Sequence, residues 1–78
     1  PNLSLEIACE KNSELSVDLF NIKGEKIISL FNGISDHNTI IINWNSEYPL
    51  DHPLASGVYF VRAKQKNSVS YKKVLLLK

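Results

Sequence analysis

Cysteine, glycine and methionine are scarce in this sequence, whose 78 residues include one, three and none of them, respectively. A single cysteine excludes an internal disulfide, and three isolated glycines exclude a glycine-rich phosphate loop. No apolar run approaches the ~20 residues of a membrane-spanning helix, so we predict no membrane insertion. The N-terminus also lacks a signal-peptide pattern. Because the chain starts at Pro1 and has no methionine, we expect a piece of a longer polypeptide, in which any export signal would lie upstream.

Side chains that carry catalysis or bind metals are equally sparse. His37 and His52, the only histidines, each follow an Asp in a polar segment that is typical of a solvated turn. Catalysis needs a nucleophile, a base and an orienting group together, and no such set is visible. The spacings typical of zinc sites are missing. A calcium site built from Asp36, Glu47 and Asp51 would lack the usual alternating loop pattern. We predict no enzyme, no metal and no cofactor.

The small net charge of +1 conceals an uneven distribution along the chain. Residues 1–51 carry three lysines against eight acidic residues, a net charge of −5. Residues 52–78 carry one arginine and five lysines with no acid, a net charge of +6. Basic segments with aromatic residues can bind nucleic acid. Here the isoelectric point of about 8.4 is mild and the aromatic residues are also needed for a core, so we predict no nucleic-acid binding.

Apolar and polar residues alternate with a period of two, which predicts strands rather than helices. Polar or glycine-containing turns separate the alternating runs at 10–13, Lys23-Gly24, Asn32-Gly33 and 66–68. Residues 45–56 hold two of the three prolines and predict a long connection with room for one short edge strand. Strands at this close spacing predict an all-β, Ig-like antiparallel sandwich of about seven short strands, in a single domain over 1–78. The strands predicted individually are Leu3–Cys9, Leu15–Phe20, Ile27–Phe31, Thr39–Trp44, Val58–Lys64 and Val69–Leu77.

The alternation also predicts which side chains face the core. In the fifth run we expect Tyr59, Val61 and Ala63 to point inward, which turns Phe60, Arg62 and Lys64 outward. Cys9 ends the first run and is expected to be a small buried apolar residue. The predicted core consists of Leu5, Ile7, Leu15, Val17, Leu19, Ile27, Leu30, Ile41, Trp44, Tyr59, Val61, Val74 and Leu76.

Four segments in order resemble the type A C-terminal sorting domain of Bacteroidetes proteins exported by type IX secretion. They are LSVDLFNIKG over 15–24, IIINWN over 40–45, LASGVYFVR over 54–62 and YKKVLLLK over 71–78. Asn21 stands where an Asp is usual in the first motif. The pattern is also related to the Ig-like domain of the flagellar hook-cap family.

The resemblance implies a secretion signal rather than an enzyme. The cargo would lie upstream in the same chain, pass through the periplasm, and reach the cell surface or the medium. The implied partners are the type IX translocon, its shuttle proteins and a sortase-like peptidase that removes the domain. The residues implied in recognition are Gly57, Tyr59, Arg62, Lys64, Lys72, Lys73, Val74, Leu75, Leu76, Leu77 and Lys78.

Two other functions stay open at this point. A non-catalytic Ig-like spacer of a multidomain extracellular protein would show much of the same pattern, with the lysines of the last strand protecting a sheet edge. A sorting domain must be C-terminal, so the two differ in whether Lys78 ends the natural protein. A carbohydrate-binding module would need an exposed aromatic platform, for which Phe20, Tyr48 and Phe60 are the candidates.

Overall fold

The chain forms six antiparallel β-strands within residues 2–45 and 54–77, the part that the computed structural model describes. Alternating side chains and β-branched residues favour strands throughout. Their bounds are β1 (Asn2–Ala8), β2 (Glu14–Phe20), β3 (Lys26–Ile34), β4 (Thr39–Asn45), β5 (Gly57–Gln65) and β6 (Ser68–Leu76).

The six strands form two sheets, one of β1 and β4 and one in the order β3-β2-β5-β6. The β1–β4 pair corresponds to strands B and E of an immunoglobulin sandwich. The neighbouring strands β2, β5 and β6 correspond to its strands C, F and G. The predicted all-β, Ig-like sandwich is therefore confirmed, with six described strands in place of about seven. The segment expected to hold a further edge strand lies largely in 46–53, outside the described residues.

Two of the predicted turns are confirmed in detail. Gly24 has a φ of +85° in the β2–β3 turn, a conformation that suits a residue without Cβ. Only Lys66 and Asn67 separate β5 from β6, and Lys66 also has a positive φ, of 29°. Short hairpin connections of this length require such values.

The turn predicted at Asn32-Gly33 is wrong, because β3 continues through both residues. Asn32 pairs with Ser16 and Gly33 with Leu15, so the ladder is unbroken there. The chain reverses after Ile34 instead. In that reversal the Ser35 hydroxyl donates to the His37 carbonyl at 2.9 Å and accepts from the His37 N–H at 3.1 Å. A side chain that satisfies nearby backbone groups stabilises a turn.

The core lies between the two sheets and is centred on Leu15, Val17 and Leu19 of β2, which are 2%, 0% and 0% exposed. Because paired residues share a face of the sheet, Val61 of β5, opposite Leu19, is buried with them. The remaining buried apolar residues are Leu5, Ile7, Ile42, Tyr59, Val74 and Leu76.

The prediction that Ile41 lies in the core is wrong, and Ile42 takes its place. Ile41 is 67% exposed whereas Ile42 is 7% exposed. The register explains the difference, because Ile42 pairs with the buried Leu5 and Ile41 pairs with the exposed Glu6. Residues opposite each other in an antiparallel pair share one face.

Three further predicted core residues, Trp44 of β4 and Ile27 and Leu30 of β3, are only half-buried. The β2–β3 register shifts twice, and each shift leaves one β3 residue without a partner. Leu30 falls between the partners of Val17 and Asp18, and Ile27 falls between those of Leu19 and Phe20. Such bulges interrupt the alternation of faces.

The neighbouring isoleucines of β4 provide a direct test of this register. We expect Ile42→Ala to lower the free energy of unfolding by about 2–5 kcal/mol, because it removes buried methyl groups and leaves a cavity. Ile41→Ala is the matched control and should change it by no more than about 0.5 kcal/mol. Urea unfolding of both variants measures the difference. Equal losses of unfolding free energy in the two variants would contradict the register.

Candidate recognition surface on the last two strands

The β5–β6 hairpin carries most of the residues predicted to take part in recognition. β5 lies inside the larger sheet, between β2 and β6. Among the strands that the structure describes, β6 pairs only with β5 and forms the edge. The predicted orientation of β5 is confirmed, with Tyr59 and Val61 buried and Lys64 exposed. The other side of the hairpin forms an outer face. Its cross-strand pairs are Val58 with Leu75, Phe60 with Lys73, Arg62 with Tyr71 and Lys64 with Val69.

Several of the predicted recognition residues have structural roles. Val74 and Leu76 are 8% and 2% exposed and complete the core from β6. Tyr59 is 8% exposed, and its hydroxyl donates to the Ala55 carbonyl at 2.7 Å, which ties the segment before β5 to the sheet. Gly57 begins β5 with a φ of +156°. These side chains are not available to a partner.

The exposed members of the predicted set lie on different sides of the sheet. Lys64, Lys73 and Leu75 belong to the outer face. Lys72 lies on the other side of β6 and lines a cleft between the two sheets, together with Glu6 of β1. Leu77, just after β6, is 65% exposed. Lys78 lies outside the described residues, and Lys66 lies in the hairpin turn.

A cluster of charged side chains stabilises the centre of the outer face. The Asp18 carboxylate is almost fully buried, at 4% exposure. It lies 3.4 Å from the Arg62 guanidinium and 3.4 Å from the Lys26 ammonium. The Arg62 guanidinium also lies 4.7 Å from the centre of the Phe20 ring, a favourable cation–π arrangement. A buried carboxylate is costly without such partners.

Sequence reasoning missed Asp18, although one signal was present. Asp18 is flanked in the chain by the apolar residues Val17, Leu19 and Phe20, and a charged residue requires a partner of opposite charge when it is buried. Its partner Arg62 is 44 residues away, so only the β2–β5 register brings the two together.

Asn21, which departs from the usual Asp of the first motif, forms the hydrogen bonds that close the β2–β3 turn. Its side-chain oxygen accepts from the backbone N–H groups of Lys23 and Glu25, both at 2.9 Å. A carboxylate could accept the same two bonds, as in other Asx turns. The Asn21 amide also donates to the Glu25 carboxylate at 2.9 Å, which an ionised Asp could not do. The substitution therefore preserves the turn.

The remaining reactive groups are dispersed. Cys9 is half-buried, and its thiol lies 3.4 Å from the His37 carbonyl. The His37 ring is largely exposed and contacts Asp36 at 2.6 Å. Over 2–45 and 54–77, no three His, Cys, Asp or Glu side chains are grouped so that they could hold a metal ion. No helix in those ranges is long and apolar enough to cross a membrane. His52, Glu47, Tyr48 and Asp51 lie outside the described residues.

Removing the buried charge tests the Asp18 cluster. We expect Asp18→Asn, which keeps the shape of the side chain, to lower the free energy of unfolding by about 1–3 kcal/mol, because two charge-assisted contacts are lost. Asp36→Asn breaks the exposed contact to His37 and should cost less than about 1 kcal/mol. Chemical unfolding of the two variants measures the difference. An Asp18→Asn variant with the same free energy of unfolding as the original chain would contradict the role of the cluster.

Comparison with known proteins connects this arrangement to a family. No curated protein and no solved structure gives a significant match. The family model described as secretion system C-terminal sorting domain matches residues 2–77. The match spans all six strands, including the whole β5–β6 hairpin. The chain therefore belongs to the family of C-terminal sorting domains, which are signals for type IX secretion.

Proposed function

We propose that the type IX translocon or its shuttle proteins recognise this domain through the exposed residues of β5 and β6. One observation carries the proposal: β6 is an edge strand that leaves apolar residues exposed beside lysines. Tyr71, Leu75 and Leu77 are 66%, 60% and 65% exposed, with Lys72 and Lys73 between them. Exposed apolar groups of this size commonly mark interaction surfaces.

The parent protein is secreted or displayed at the cell surface, as family membership implies. In the proposed sequence of events, the cargo precedes this domain in the chain and reaches the periplasm by an upstream signal. The domain folds there and is recognised at the outer membrane. Residues 1–78 then act as the C-terminal signal of a longer protein, and the domain itself takes part in no catalysis.

A sortase-like peptidase then removes the domain and attaches the cargo to an anionic lipopolysaccharide. Peptidases act on extended, accessible segments. β1 pairs with β4 along its full length and places Leu5 and Ile7 in the core, so cleavage between Asn2 and Ala8 would require unfolding. The proposed cleavage position therefore lies before β1.

The spacer alternative interprets the lysines of β6 as edge protection. Lysine on an exposed edge opposes pairing with other strands, and this applies to Lys72 and Lys73. It does not account for Tyr71, Leu75 and Leu77, because exposed apolar side chains favour association rather than prevent it. This difference favours recognition over edge protection alone.

Export of a fused reporter tests the proposal. A periplasm-targeted fluorescent protein carrying this chain at its C-terminus should appear outside cells that possess a type IX system. The matched controls are the reporter without the chain and the full fusion in cells that lack the translocon, and both should remain in the periplasm. Retention of the full fusion in the competent cells, or equal release without the translocon, would refute the function.

A separate measurement tests removal of the domain. We expect the exported reporter to have lost about the 8.8 kDa of this chain, because the peptidase cuts before β1. Mass spectrometry of the exported reporter gives the new end. An exported reporter that retains the domain would contradict the cleavage step and leave the sorting step standing.

Deletion of residues 72–78 is a poor test of recognition. It would remove Val74 and Leu76, which are buried, together with most of the β5–β6 pairing. A retained cargo could then reflect an unfolded domain. Substitutions of exposed residues separate the two effects.

A further inference from the structure

We propose that the partner docks on the outer face of β5 and β6 and presents an apolar centre with an acidic rim. This inference rests on the proposed function and specifies which side of the hairpin is recognised and what chemistry recognises it. The outer patch is defined by Phe20, Val58, Phe60, Tyr71, Lys73 and Leu75.

The register makes the outer patch continuous across three strands. Phe20 of β2 pairs with Phe60 of β5, and Phe60 pairs with Lys73 of β6. Val58 and Leu75 form the next row. Directly opposite residues have Cβ atoms about 4.5–5.5 Å apart, so these side chains contact each other along each row. Phe20, Phe60 and Tyr71 also line one open cleft, with Arg62 beside them and Ile22 at its end.

The apolar side chains of the outer patch are more exposed than the surface of a sheet without a binding partner would require. Tyr71 and Leu75 are 66% and 60% exposed, and the neighbouring Ile22 is 75% exposed. Phe20, Val58 and Phe60 are half-buried and support them from within the sheet. Aromatic side chains in such a patch give large contact areas with little loss of conformational entropy, which is why they are enriched at interfaces.

The charge of the outer patch selects the partner. On the β2–β3 side, Asp18 offsets Lys26 and Arg62 in part, and Glu25 lies in the adjoining turn. On the β5–β6 side, Glu14 of β2 lines an open cleft together with Lys64, whereas Lys73 has no acidic neighbour on β5 or β6, because residues 57–76 contain no Asp or Glu. Electrostatic complementarity then favours a partner whose acidic groups surround an apolar contact surface.

A second copy of this chain would fit poorly. A symmetric dimer joins the same patch on both subunits, so Lys73 of both copies would lie in one interface. Like charges brought together in this way oppose association. The two faces of β6 also differ in what surrounds their lysines, because Lys72 lines the cleft between the sheets whereas Lys73 lies on the outer face opposite Phe60.

Export of the reporter fusion tests the outer patch. We expect Lys73→Glu and the double variant Tyr71→Ser/Leu75→Ser each to reduce the exported fraction about tenfold. Charge repulsion or lost apolar contact of about 1.4 kcal/mol lowers affinity by that factor. Lys66→Glu, in the hairpin turn, and Ile41→Ser, equally exposed on the smaller sheet, are the matched controls and should be exported within about twofold of the original chain.

Urea unfolding of each variant verifies that the domain remains folded. The unsubstituted fusion distinguishes the two possible failures. If that fusion is retained in cells, the proposed function fails. If it is exported and the outer-patch variants are exported equally well, only the docking surface is wrong. A loss from Lys72→Glu as large as that from Lys73→Glu would move the surface to the cleft between the sheets and overturn the proposal.

Discussion

The pairing of β2 with β5 determines both faces of the larger sheet. On one face it places Leu19 opposite Val61, and the two are 0% and 2% exposed. On the other face it places Asp18 opposite Arg62 and so provides a partner for a buried carboxylate. A slip of one residue would expose the first pair and bury the cation in the core. Hydrophobic burial and ion pairing therefore favour the same register.

The sequence predicted the fold wherever alternation was unbroken. In β5, Val61 and Ala63 alternate with Arg62 and Lys64, which sets the phase of the strand, and the predicted orientation of Tyr59 and Val61 is confirmed. β4 begins with Thr39 and three isoleucines, and a run without polar residues leaves the phase of the alternation undefined. The phase comes from β1, through the Leu5–Ile42 pair. The bulges of β3 depend likewise on the partner strand, so the half-burial of Leu30 could not be predicted from the sequence.

The candidate site likewise has features that the sequence predicts and features that depend on contacts between strands. Its place on the last two strands could be predicted, because the basic residues and the closing motif are features of the sequence itself. The side of the sheet that each residue occupies could not. Lys72 and Lys73 are neighbours in the chain, yet they face different parts of the molecule because Lys72 pairs with the buried Val61 and Lys73 with Phe60. The role of Asp18 depends on a contact across 44 residues, which no local pattern contains.

Under the proposed function, β6 completes the core and presents an interaction surface at the same time. Val74 and Leu76 serve the first requirement, while Tyr71 and Leu75 remain exposed on the other face. An exposed apolar edge strand is an aggregation hazard. Lys72 and Lys73 oppose pairing between identical strands, because their charges would be brought together. In the proposed complex the charge of Lys73 also favours an acidic partner. Edge protection and the proposed recognition are thus two consequences of one charge, that of Lys73.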